Sequence, residues 1–65
     1  MNNLRRLRTT KKITQQKLAE AVGVTQAAIA SYENDIRTPS VNVLKKLAHA
    51  LGVTMDELVE GREAS

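Results

Sequence analysis

The chain has no cysteine, three glycines and a single histidine among its 65 residues. Without cysteine, disulfide staples and cysteine-based zinc sites are excluded, which suits a reducing cytoplasm. Gly23, Gly52 and Gly61 are too scattered to form a phosphate-cradling loop. His49 has no carboxylate at ligand spacing, so it reads as a surface residue rather than a metal ligand. It also lacks triad partners, and no carboxylate pair flanks an apolar pocket, so an enzyme is not expected. No apolar run approaches the ~20 residues of a membrane span, and Met1-Asn2-Asn3-Leu4-Arg5-Arg6 lacks the apolar centre of a signal peptide. The expectation is one small cytoplasmic domain without a cofactor, and with no room for a second, ligand-sensing domain. No small-molecule effector is expected, and regulation would then act through concentration and dimerisation.

What is present is unevenly placed. The net charge is +3, yet residues 1–17 hold Arg5, Arg6, Arg8, Lys11, Lys12 and Lys17 with no acid. Residues 54–65 hold Asp56, Glu57, Glu60 and Glu63 against Arg62 alone. A basic front and an acidic back point to a polyanion on one side only.

The stretch Gln15–Asn34, QQKLAEAVGVTQAAIASYEN, organises the rest. Leu18 and Val22 share one helix face, with Ala19 beside them. Gly23 supplies a left-handed helix end, Val24 fills the corner, and Thr25 is a good N-cap for the next helix. There Ile29 and Tyr32 form the apolar stripe, while Gln26, Ala27, Ala30 and Ser31 point elsewhere. Ala19 is small where two crossing helices would come closest. This is a helix-turn-helix.

Around it, Leu4, Leu7 and Arg8 share one face of a first helix. Ile13 is a buried anchor and Thr14 a cap. Ser40 caps a later helix whose Val41, Leu44, Leu47, Ala48 and Leu51 repeat at helical spacing, with Lys45, Lys46 and His49 opposite. The spacings predict helices at about 2–11, 15–22, 26–33, 40–51 and 55–60, with 61–65 a frayed tail. LAEAVGVTQ at 18–26 recurs as LAHALGVTM at 47–55, so one helix–Gly–cap joint is used twice. The second is followed by an acidic helix with a Thr54/Glu57 capping box, which phosphates would repel. Only the first joint suits DNA.

These blocks resemble the DNA-binding unit of phage Cro and repressor proteins, the XRE-like or lambda-repressor-like family. The resemblance is carried by Leu18, Ala19, Val22, Gly23, Val24, Ile29 and Tyr32. It extends to Leu4-Arg5-Arg6-Leu7-Arg8, Ile13-Thr14-Gln15, Tyr32-Glu33-Asn34, Pro39-Ser40 and Leu51-Gly52-Val53-Thr54, across roughly residues 4–60. It implies an all-α, compact five-helix fold. Two positions depart from the family: Lys12 and Asp35 stand where Gly is favoured for positive φ. Asp tolerates that region better than most residues.

The site follows. Arg8, a cation on a core-facing side, needs a partner, and Glu33 at the edge of the buried stripe can be that partner. The family's matching Arg and Glu imply the same pair. Helix 26–33 is expected in the major groove of double-stranded DNA, with Gln26 reading adenine and Ser31 offering a hydroxyl. Ala27 and Ala30 either touch thymine methyls or merely favour helix. Phosphate contacts are expected from Thr25, Asn34, Arg37 and Thr38, with Lys11 and Lys12 as contributors, and the family's matching Gln implies another from Gln15 at the start of the second helix. Met55, Leu58 and Val59 form an apolar face that either makes a two-fold homodimer or closes the monomer core. The expected function is a transcriptional repressor. The alternative is an antitoxin or adaptor whose main partner is another protein.

Overall fold

A computed structural model describes residues 3–59 as five helices: α1 Leu4–Thr10, α2 Gln15–Val22, α3 Gln26–Glu33, α4 Val41–Leu51 and α5 Met55–Val59. The described residues contain no strand. The expected elements are all found, with α1 shorter at both described ends and Ser40 standing outside α4 as its cap. The expected extension of α5 to Glu60 and the tail 61–65 lie outside the described residues.

Local chemistry sets the helix boundaries. The hydroxyls of Thr14, Thr25 and Ser40 accept from the backbone N–H of Lys17, Ala28 and Val43 at 3.0, 3.0 and 3.2 Å. Each satisfies a donor that the first helical turn leaves unpaired. α2 and α4 end at Gly23 and Gly52, with φ of 76° and 69°. Lys12 and Asp35 also take positive φ, 59° each, so the backbone keeps the turn that glycine favours without having glycine. For lysine this conformation costs about 1–2 kcal/mol.

One core joins all five helices. Leu18, Ile29, Leu47, Leu51 and Leu58 are its fully buried centre, and Leu4, Leu7, Ala19, Val22, Ala28, Tyr32 and Ala48 complete it. Ile13, expected as a buried anchor, is half-buried and packs against this core. Val41 departs from its expected place on the α4 stripe: as the first helical residue it is 63% exposed. The stripe proper begins with Leu44. The Asn3 backbone N–H donates to Leu58 O, and its side-chain amide to Glu57 O, both at 2.8 Å, which closes α5 onto the start of α1.

Candidate nucleic-acid interface

α3 packs against α2 and α1, and Ala28, Ile29 and Tyr32 are its contribution to the core. Its opposite strip is Gln26, Ala27, Ala30 and Ser31, spaced so that all four share a side. Gln26 and Ala27 are exposed, while Ala30 and Ser31 are half-buried. The first turn of α3 carries no acid, so beyond the neutral Thr25 cap no negative side chain answers its N-terminal backbone dipole. Ala28, which the sequence pattern did not single out, is buried beneath that turn.

The other expected contact residues are mostly at the surface. Thr25, Asn34, Arg37, Thr38, Lys11 and Lys12 are exposed, and Gln15 is half-buried. The Ser31 carbonyl accepts from the N–H groups of Ile36 and Arg37 at 2.9 and 3.3 Å, which fixes the loop leaving α3. The Asn34 amide donates to Ala30 O at 2.9 Å, and its side-chain oxygen accepts from Arg5 Nη2 at 2.9 Å.

Glu33 is the polar centre of the domain, and its side chain has no exposure. One carboxylate oxygen accepts from Arg8 Nε at 2.5 Å. The other accepts from Arg8 Nη2 at 3.3 Å, Arg5 Nε at 3.4 Å and Gln15 Nε2 at 3.0 Å. Arg8 also donates to Ile13 O at 2.7 Å, tying the α1–α2 turn to the pair. Burial alone would raise the Glu33 pKa. Hydrogen bonds from Arg8 and Gln15, the Arg8 charge and the Arg5 bond outweigh it, so the carboxyl is held below its ordinary value. The expected Arg8–Glu33 contact is present in the structure. Arg5 and Gln15 were not expected as members of the cluster. Arg5 lies three residues before Arg8, on the same helix face, and that spacing was the available signal.

Gln15 reaches further. Its Oε1 lies 3.4 Å from Gln26 Nε2, so the first residue of α2 links Glu33 to the first residue of α3.

The apolar face expected on α5 is only partly a surface. Leu58, expected as part of a dimer face, is 2% exposed and belongs to the monomer core. It sits four residues after Thr54, pointing into the bundle. Met55 is half-buried against the core, and Val59 is 47% exposed. Val59 instead edges a groove lined by Leu4, Tyr32, Asp35, Arg37, Thr38, Pro39 and Leu44, among others. The other exposed large apolar residues, Ile36 and Val41, stand in or next to the loop that forms its wall. His49 is exposed beside Lys45 and Lys46. Among the described residues no group of three His, Cys, Asp or Glu is placed to hold a metal ion. No described helix is long and apolar enough to cross a membrane.

Comparison with known proteins agrees with this geometry. The helix-turn-helix model HTH_3 matches residues 4–58, which include all of α1 to α4 and most of α5. The chain belongs to this family, the XRE-type helix-turn-helix proteins, which are DNA-binding modules rather than enzymes. It is 37% identical to the HTH-type transcriptional regulator YqaE of Bacillus subtilis, over 91% of this chain and 51% of that protein. It is 40% identical to the HTH-type transcriptional activator BcrR of Enterococcus faecalis, over 92% and 29% of the two chains. It is 32% identical to the immunity repressor of Bacillus phage phi105, over 86% and 39%. The chain thus spans about half the length of YqaE and less of the other two.

Proposed function

We propose that this chain is a sequence-specific double-stranded-DNA-binding domain of a transcriptional regulator. In this reading α3 enters the major groove, as helix-turn-helix recognition helices do, with Gln26 as its base reader. The observation that carries it is the acid-free N-terminal half of α3. That half presents Gln26 and Ala27 to solvent, with the Gln15 amide 3.4 Å from that of Gln26. Gln15, Thr25, Asn34, Arg37, Thr38, Lys11 and Lys12 are the phosphate contacts, with Ala30 and Ser31 completing the base-facing strip. Repression is the simplest output, because occupancy alone excludes a competitor from the same DNA. The phi105 relative is named a repressor and BcrR an activator, so the shared domain supplies binding and its context supplies the sign.

Two copies would bind a palindromic operator about a two-fold axis, placing their α3 helices about 34 Å apart. Val59, an exposed apolar residue on the edge of a groove lined mostly by apolar side chains, supports this.

Selection from random duplex, followed by salt titration of the winning site, tests the DNA reading. If about six phosphates are neutralised per half-site, log affinity falls with log salt at a slope of about −5. Absence of salt-sensitive duplex binding would leave the adaptor role in its place. For the dimer, Val59→Glu should keep the monomer folded, weaken binding to a full palindrome and spare a half-site. Equal loss on both sites would exclude dimerisation through this face.

A further inference from the structure

We propose that Glu33 is a specificity-positioning residue: acting through Gln15, it decides which end of the Gln26 amide faces DNA and so favours adenine over guanine. This rests on the reading of Gln26 as a base contact.

Donor and acceptor capacity sets the orientation of each amide in turn. An ionised carboxylate accepts hydrogen bonds and cannot donate them. Glu33 is in that state, since two arginines converge on it and its side chain is out of solvent. Its lowered pKa agrees. Gln15 lies 3.0 Å away and can therefore present only its NH2 group to Glu33. The oxygen of the same amide is then directed the other way, toward Gln26 at 3.4 Å. An amide oxygen also only accepts, so Gln26 must offer Gln15 an N–H. Gln26 is left with one N–H and its whole oxygen for the groove.

That remainder matches adenine, whose N6 donates and N7 accepts. Guanine presents two acceptors, O6 and N7, and would set one of them against the Gln26 oxygen. Were Gln15 reversed, the Gln26 oxygen would be tied inward and its NH2 turned outward, which suits guanine instead. The choice is made by a residue that DNA cannot touch, because the Glu33 side chain is fully buried.

The test measures competitive binding to four duplexes that differ only at the base pair opposite Gln26, with thermal melts to confirm folding. The intact protein should favour adenine over guanine by at least about fivefold. Gln15→Met removes both prongs of the amide at similar length, and the ratio should fall to within about twofold. Gln15→Lys satisfies Glu33 but offers Gln26 a donor, so the preference should shift toward guanine. Glu33→Gln frees the Gln15 amide to reverse and should lower the ratio; if it does not fold, the two Gln15 variants decide. Gln26→Ala separates the two readings. If it keeps the adenine preference, Gln26 is not the base reader and the positioning role falls with it. If Gln26→Ala flattens the preference while Gln15→Met and Gln15→Lys keep it, base reading stands and the positioning role is overturned. A uniform loss on all four duplexes in the Gln15 variants overturns that role as well, because it reports a phosphate contact only. A folded Glu33→Gln with an unchanged ratio would remove Glu33 from the relay.

Discussion

The two joints of this domain are built alike and finished differently. Leu18, Ala19, Gly23, Val24 and Thr25 in the first correspond to Leu47, Ala48, Gly52, Val53 and Thr54 in the second. In each, a left-handed glycine ends a helix, a valine N–H reaches back to the alanine carbonyl at 3.0 Å, and a threonine starts the next helix. Four residues after each threonine stands a buried anchor, Ile29 or Leu58. The difference lies in the three positions between: Gln26-Ala27-Ala28 against Met55-Asp56-Glu57. In the second joint Glu57 completes a reciprocal cap with Thr54 at 2.8 and 3.0 Å, and two acids answer the positive helix end. The first joint forgoes both. It keeps its helix end open to an anion and anchors the far end of α3 through Glu33 instead. A helix start optimised for its own stability is thereby closed to phosphate.

The largest effect should come from breaking the anchor of the second joint. Leu58→Glu places an unpaired charge in the core and should unfold the domain at 25 °C, read by far-ultraviolet circular dichroism. A folded, monomeric variant would show that the core does not depend on Leu58.

Next comes the ion pair that only the first joint uses. Arg8→Ala should cost about 3 kcal/mol, because it strands a buried carboxylate. In a double-mutant cycle with Glu33→Ala, additive losses would deny the coupling. The pH dependence has a definite sign. The folded Glu33 pKa is depressed, so its stabilisation is complete above the unfolded value of about 4.3 and is lost as pH falls through the lower folded value. Arg8→Ala should flatten that part of the acid limb in melts taken across the range.

Smaller again is the loss at the reading head. Gln26→Ala should cost roughly 1–3 kcal/mol on the selected site and relax preference at one base pair, whereas Arg37→Ala should weaken all sequences alike. Affinities across a panel of single-base variants distinguish the two. Transferring the second joint's acid to the first sharpens the contrast. Ala27→Asp should raise folding stability by up to about 0.5 kcal/mol while lowering duplex affinity at every sequence. A gain or no change in affinity would mean that this helix end does not face DNA.

The last contrast is between the caps themselves, where the difference between the two joints is small. Thr25→Ala and Thr54→Ala should each cost about 1 kcal/mol in thermal melts. Thr54→Ala should cost slightly more, since it also strands half of a reciprocal cap.

Most of the fold was legible because its signals are local. Cap residues, left-handed glycines and helical spacing each act within one turn, and they placed every helix to within a residue or two in the described span. Lys12 and Asp35 show that turn geometry can be kept where the favoured residue is missing. What was not legible depended on where helices meet. Val41 follows the α4 period yet is exposed, since a residue at the very start of a helix has no preceding turn to pack beside it. Leu58 and Val59 are adjacent in sequence, and only packing decides that the first is core and the second surface. The Arg8–Glu33 contact could be inferred from a misplaced charge. The reach of Gln15 to both Glu33 and Gln26 could not, since a glutamine at a helix start signals nothing about its partners.

The bonds from Asn3 to Glu57 and Leu58 bring the two ends of the described path together. The backbone therefore traces something close to a ring. A short linker between those ends would need to span little distance, and loop closure of that kind costs little entropy. The break in the ring could then be moved to an exposed turn away from the proposed interface, without cutting a helix. The order in which the helices are threaded is thus separable from the way they pack, and circular permutation is open to this domain as a route for presenting α3 on another scaffold.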